Sequence, residues 1–113
     1  MTRIEAYIRT HLLENVREAL EEIDVVGMTV TDVRGMGRSK GISQTYRGSQ
    51  YTVNLKPYLK VEVLVHDDHV AMVVGAIQKA AGTGEIGDGK IVVLPVADVI
   101  RIRTGESGDI AMT

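Results

Sequence analysis

Residues 59–82 read LKVEVLVHDDHVAMVVGAIQKAAG, and within them the apolar period changes once. Leu59, Val61, Val63 and Val65 alternate with Lys60, Glu62 and Leu64, the period-two pattern of a half-buried strand. Val70, Val73, Val74, Ile77 and Ala81 then recur at helical spacing and make one apolar stripe. Asp67 and Asp68 suit the cap and first turn of that helix, and Gly82 suits its C′ position. A strand running directly into an amphipathic helix is half of a split βαβ unit.

The N-terminal third holds the other half. Ile4, Ala6 and Ile8 alternate with Arg3, Glu5, Tyr7 and Arg9, so a strand is expected over residues 3–9. Leu12, Leu13, Val16, Ala19, Leu20 and Ile23 follow at helical spacing, with Glu14, Glu18, Glu21 and Glu22 mostly on the wet side. Residues 28–34 are rich in Val and Thr, a second strand whose alternation breaks at Asp32 and Val33, where a bulge is expected. Residues 91–94 and 99–103 are strand-like, split by Pro95. The order is βαββαβ, an α+β ferredoxin-like domain with helices on one sheet face.

With 113 residues, positions 1–113 form a single domain. The core must be aliphatic, since Phe and Trp are absent and there are four Tyr. Without Cys there is neither a disulfide nor a thiolate metal site. No apolar run approaches the ~20 residues of a membrane span, and the N-terminus has no secretory pattern. The expectation is a soluble cytoplasmic domain, not embedded in a membrane. A pI near 5.9 and a net charge of −2 argue against nucleic acid as the partner of the whole chain.

Charge is unevenly placed. From Val33 to Val61 there are six basic side chains (Arg34, Arg38, Lys40, Arg47, Lys56, Lys60) and no acid. The middle of this stretch, punctuated by Gly35, Gly37, Gly41 and Gly48, fits neither helix nor strand and is expected to be a long loop offered to a partner. Tyr46 and Tyr51 within it are contact anchors or targets of covalent modification.

Two phosphate motifs overlap at Gly82–Lys90, and both lack their structural context. GTGEIG at 82–87 has the dinucleotide spacing, but it follows a helix and precedes a strand, the reverse of what that motif requires. GEIGDGK at 84–90 approaches a Walker A loop, but Ile91 stands where Ser or Thr would hold Mg²⁺. The underlying chemistry survives: Gly87 and Gly89 allow backbone N–H groups close to an anion, and Lys90 adds a point charge. Arg101 and Arg103, alternating with Ile100 and Ile102, would present two guanidiniums on one face of a strand, about 7 Å apart. They are either a phosphate clamp or a solvated edge that resists aggregation. His11, His66 and His69 show no metal-ligand spacing, and no general base or activated nucleophile stands out, so a catalyst is not expected.

Taken together, GMTVT at 27–31, GMGR at 35–38, YRG at 46–48 with Tyr51, Thr83-Gly84 with Ile86–Lys90, and Val99–Glu106 closely resemble the PII nitrogen-regulatory signal-transduction family, over nearly the whole chain. The resemblance implies a ferredoxin-like homotrimer, ATP or ADP in clefts between subunits, often Mg²⁺ and 2-oxoglutarate, and no enzymatic activity. It implies a T-loop at about 37–55, a nucleotide loop at about 82–90 and a C-terminal loop at about 103–113. The T-loop would engage a regulated enzyme or a membrane transporter resembling an ammonium channel. By position, Thr29 and Leu64 would face adenine. Gly35, Gly37 and Arg38 would line the cleft. Gly87, Asp88, Gly89 and Lys90 would cradle phosphates, with Arg101 and Arg103 as the clamp. Tyr51 matches the nucleotidylated tyrosine, and Arg47, beside Tyr46, the arginine that plugs a channel.

The departures fall in the effector pocket formed by Arg9, Ser39, Lys56 and Tyr58. Ser39 stands where the family commonly has the Gln that helps hold Mg²⁺. Tyr58 stands where it has the Lys that pairs with 2-oxoglutarate. Gly82 and Glu85 replace residues that are often basic there. These changes argue against 2-oxoglutarate and for nucleotide sensing alone, or for a different small metabolite. An RNA-binding module of the same βαββαβ order is the alternative, weakened by the lack of stacking aromatics at Arg34–Gly37.

Overall fold

The structure, a computed structural model, describes residues 1–36, 42–46, 49–53 and 55–113, the two middle segments as backbone alone. Strand β1 (Thr2–Ile8) leads through a single 3₁₀ turn into helix α1 (Leu13–Glu22). Strands β2 (Thr29–Gly35), β3 (Ile42–Tyr46), β4 (Ser49–Val53) and β5 (Lys56–Val65) follow, then helix α2 (Val70–Ala81) and strand β6 (Lys90–Pro95). Four strands form one antiparallel sheet in the order β2-β5-β1-β6. The two strands that flank each helix, β1 and β2 around α1 and β5 and β6 around α2, are thus separated by one other strand, the arrangement a split βαβ pair requires.

The alternation in residues 59–65 translates directly into burial. Leu59, Val61, Val63 and Val65 are buried while Lys60, Glu62 and Leu64 are half-exposed. Their partners across β1 are Ile8, Ala6, Ile4 and Thr2, all buried on the same face. Val16 and Leu20 of α1 and Val73, Ile77 and Ala81 of α2 close the core over that face. The opposite sheet face is less wet than the pattern implies: Glu5 is only 9% exposed and receives Arg3 at 2.9 Å.

Five expectations differ. Strand β2 pairs with β5 in unbroken register from Thr29↔Glu62 to Gly35↔Lys56, so Asp32 and Val33 mark no bulge. Val30 is exposed and Val33 half-exposed, because β2 is an edge strand and its alternation is weakly enforced. The central stretch, expected to lack regular structure, contains the β3–β4 hairpin, in register from Ile42↔Val53 to Tyr46↔Ser49. Residues 37–41, 47–48 and 54, hence Gly37, Arg38, Ser39 and Arg47, lie outside the described residues, as do the side chains of Tyr46 and Tyr51.

Asp67 does not cap α2. A 3₁₀ turn, Asp67–His69, precedes the helix, and the Asp67 carboxylate accepts from the Thr2 hydroxyl at 2.6 Å. Gly82 ends α2 in an extended conformation (φ −82°), not a left-handed one. Its glycine is required by a close approach instead, since a Cβ there would lie 2.8 Å from the Gln78 carbonyl oxygen.

Residues 99–103 do not form a strand. Beyond Pro95 the chain makes one isolated bridge, Ile100↔Ser107, and turns back, with the Gly105 N–H donating to the Arg101 carbonyl at 2.8 Å. The Ile/Arg alternation has the right period but no neighbouring strand to pair with, so propensity alone does not make it one. Ile100, Ile102 and Ile110 are all exposed on this single chain. No helix among the described residues is long and apolar enough to cross a membrane.

Candidate functional site

The two ends of the sheet carry different chemistry. At one end, the start of β6 brings Lys90 beside Tyr7, and the end of β2 brings Gly35 beside Lys56. The turn between α2 and β6 lies here. Gly84, Gly87 and Gly89 all have positive φ (85°, 102° and 98°), a run of conformations that L side chains disfavour. The closest approach is at Gly89, where a Cβ would stand 1.7 Å from the Tyr7 carbonyl oxygen.

Asp88 organises this turn from within. Its carboxylate accepts the backbone N–H groups of Thr83 (2.7 Å) and Gly84 (2.9 Å), the Thr83 hydroxyl, and Nε of Arg9 (3.1 Å). Those donors favour the ionised form, the Thr83 hydroxyl most of all, and hold the Asp88 carboxyl far below the usual carboxylate range. Arg9 also donates from Nη2 to the Ile86 carbonyl at 3.2 Å, and the Tyr58 hydroxyl donates to the Gly87 carbonyl at 3.1 Å. The acid is thereby turned into the turn and away from an approaching anion.

Gly35, Gly87, Asp88, Gly89 and Lys90 line one cavity of about 830 Å³, together with Tyr58. Arg9, Lys56 and Tyr58 line a smaller one of about 190 Å³ that touches Gly87 from the other side and adds His11. The three described residues of the expected effector pocket therefore come together. Among the described residues, no group of three or more His, Asp or Glu is placed to hold a metal ion.

Thr29 and Leu64 line a different cavity, about 720 Å³, with Val99, Met112 and Thr113. Arg101 lies near it. Its guanidinium bonds the Glu106 carboxylate at 2.7 Å and the carbonyls of Ile110 (2.5 Å) and Thr113 (2.8 Å). Arg103 is exposed and does not share a strand face with Arg101, as the alternation had implied. The linings of the two cavities are four residues apart along β2 (Thr29 to Val33) and from Val92 to Val96, about 13 Å at strand rise. Within one chain, the glycine turn and the two arginines do not meet.

Sequence reasoning missed two roles. Thr83 is the main partner of Asp88, and Tyr58 is a hydrogen-bond donor to the turn. A Thr five residues before an Asp across a glycine-rich turn was the available signal for the first. Nothing local signals the second, because β5 and the turn are joined only in space.

Comparison with known proteins is consistent along the chain. The family described as "Nitrogen regulatory protein P-II" matches residues 1–106. The chain is similar to the "Nitrogen regulatory protein P-II 1" of Escherichia coli K12, 52% identical over 112 residues, covering 99% of this chain and all of the relative. It is similar to the "Nitrogen regulatory protein P-II" of Azospirillum brasilense, 51% identical over 108 residues and 96% of each chain. Among solved structures, the Arabidopsis thaliana PII bound to citrate superposes with a TM-score of 0.80 at 40% identity, over 99% of this chain and 89% of that one.

Proposed function

Because this chain belongs to the nitrogen regulatory protein P-II family, whose members are regulatory signal-transduction proteins and not enzymes, we propose that it senses adenine nucleotides at clefts between the subunits of a homotrimer. The observation that carries the reading is the separation of two half-sites. The glycine turn with Lys90 lies at one end of the sheet, and Thr29 and Leu64 line a cavity at the other together with Thr113, which Arg101 holds. Each half is open, and each completes the other only if a second copy supplies it. The exposed Ile100, Ile102 and Ile110 give such an assembly apolar surface to bury.

In this reading, backbone N–H groups of the turn and Lys90 take the phosphates of ATP or ADP. Arg103 of a neighbouring copy, which is exposed, takes them bidentately, and Arg101 joins by exchanging its bonds to Glu106, Ile110 and Thr113 for phosphate. Mg²⁺ would arrive with the phosphates; Asp88, already engaged by four donors, is not available as its ligand. ATP and ADP differ in charge beside Gly35, at the root of the hairpin, and so shift the balance of hairpin conformers. The hairpin, with Tyr46, Arg47 and Tyr51, then engages a cytoplasmic enzyme or a membrane transporter.

Calorimetry with ATP and ADP tests the site. Arg101→Ala combined with Arg103→Ala removes binding, and unchanged affinity in that variant defeats the assignment. Because Arg101 also secures the C-terminal segment, Arg103→Ala alone separates the clamp from that structural role.

A dicarboxylate is a poor fit to the small cavity. Arg9 is already taken by Asp88 and Ile86, and Tyr58 brings no charge. A missing charge-assisted bond costs about 1.5–3 kcal/mol, or roughly one to two decades of affinity. Tyr58→Lys is therefore expected to raise 2-oxoglutarate affinity by about tenfold or more in the presence of ATP. No gain by calorimetry would remove charge at this position as the reason.

A further inference from the structure

We infer that Tyr58 is a positioning residue that couples the Gly87 turn to the root of the β3–β4 hairpin. The inference rests on the nucleotide reading for its ligand, but its geometry is independent of it. Three parts of the molecule meet at this one residue. Tyr58 belongs to β5, three residues after Leu55, where the chain re-enters the main sheet from the hairpin. Its ring faces Gly35, the last residue of β2 before the chain leaves toward the hairpin, with room for one methyl group between them: a Cβ at Gly35 would make ordinary contact with ring carbon Cδ2 at 3.6 Å. Its hydroxyl donates to the Gly87 carbonyl at 3.1 Å. One residue thus joins the return leg of the hairpin to the turn that would meet phosphate, and its backbone pairs with Val33 on the outgoing leg.

The hydroxyl bond reads the orientation of one peptide. Gly87 has φ +102° and Gly89 φ +98°, so the peptides around Asp88 are held by glycines that tolerate reorientation. A ligand that draws the N–H groups of this turn toward itself tilts the carbonyls that share those peptide planes. Tyr58 must follow the Gly87 carbonyl or lose its partner, and a half-buried hydroxyl without a partner is costly. Tyr58 is paired through its backbone with Val33, two residues before Gly35, so a shift of this residue passes across β5 and β2 to the hairpin root. Arg9 braces the other side of the same turn through Ile86 and Asp88, so the motion is confined to the Tyr58 side.

Tyr58→Phe tests the coupling, because it keeps the ring facing Gly35 and removes only the hydroxyl. The chain has no cysteine, so Gln50→Cys on β4 offers a single attachment point for a fluorophore reporting on the hairpin. In the parent, ATP and ADP give different hairpin signals. In Tyr58→Phe, nucleotide affinity falls by up to about fivefold, as expected for one neutral hydrogen bond, so the hairpin signals are compared at saturating nucleotide. The difference between the two signals falls by about fivefold or more. Hydrogen exchange without nucleotide forms the second arm: Tyr58→Phe raises exchange in residues 84–89 and in 33–36 and 56–58 together, leaving α2 unchanged. A hairpin response equal to the parent's overturns the inference, as does faster exchange confined to the turn. If the parent binds no nucleotide in calorimetry, the sensor reading fails, and the ligand-free exchange arm alone decides the coupling.

Discussion

Gly89→Ala is expected to lower the thermal midpoint by roughly 15 °C and to abolish nucleotide binding. The position combines two constraints that rarely coincide. Its φ of +98° strains any L side chain, and a Cβ would overlap the Tyr7 carbonyl at 1.7 Å. Neither can be relieved locally. Tyr7 pairs with Lys90 across β1 and β6, so backing the turn away from the carbonyl unzips the start of β6. Backbone strain costs about 1–3 kcal/mol and overpacking about as much again, together on the order of 4 kcal/mol. At about 4 °C per kcal/mol for a domain of this size, that gives the stated shift. Gly84→Ala is the internal control. It shares the positive φ (85°) but has open space around it, so it should cost only about 1–2 kcal/mol. Equal midpoints for the two variants, by thermal melting or urea titration, would show that the contact with Tyr7 is unimportant.

Asp88→Asn is the second large effect, and it reads out twice. The amide keeps one oxygen acceptor but loses the charge that gathers Arg9, Thr83 and Gly84 around it. The turn then loses its fixed shape while the fold persists. At metal sites, loss of such a supporting partner lowers affinity on the order of ten- to a hundredfold, and a nucleotide phosphate held by the same turn should respond at the lower end, about tenfold. The pH dependence has a definite sign. In the folded chain the Asp88 carboxyl is held well below its usual value, chiefly by the Thr83 hydroxyl, whereas unfolded it titrates near pH ~4. Its stabilising effect is therefore complete above that pH and is lost progressively as the pH falls further, toward the folded value. Denaturant titrations at pH 7, 5, 4 and 3 should show the parent losing more stability on acidification than Asp88→Asn. Asp67 and Glu14, lowered by the Thr2 hydroxyl and by Arg17 respectively, titrate in both proteins and cancel in the difference. Parallel curves would mean that the Asp88 network adds nothing in solution.

How legible the molecule is from its residues depends on how local each cause is. The strand-to-helix change in residues 59–82 is written in consecutive side chains, so β5 and α2 follow directly from period. The βαββαβ order, and hence which strand ends lie together, follows from the same reasoning. The hairpin is masked by its Gly and Ser, which read as loop, although Ile42, Tyr46, Tyr51 and Val53 are strand formers. Two runs of strand-forming residues separated only by Arg47-Gly48 are a hairpin signal. Residues 99–103 failed in the opposite way, having a strand's period without a strand's neighbour. At the candidate site, the glycines and Lys90 carry the chemistry expected of an anion turn, and the family resemblance implies the ligand proposed for it. What could not be read is the direction of Asp88, since a carboxylate in a phosphate-like motif carries no mark of whether it faces ligand or scaffold. Tyr58 marks a similar limit: its substitution is visible in sequence, but its bond to Gly87 exists only because β5 and the turn share one end of the sheet.

That the anion turn and the C-terminal segment held by Arg101 lie at opposite ends of the same sheet has a genetic corollary. In the proposed ring of three, a copy defective in its turn and a copy defective in its arginines would not be equivalent losses. Mixed together, the two mutant chains rebuild an intact cleft wherever the good half of one abuts the good half of the other. Co-expressing Lys90→Ala and Arg103→Ala chains should thus complement, restoring a minority of working pockets where either mutant alone has none.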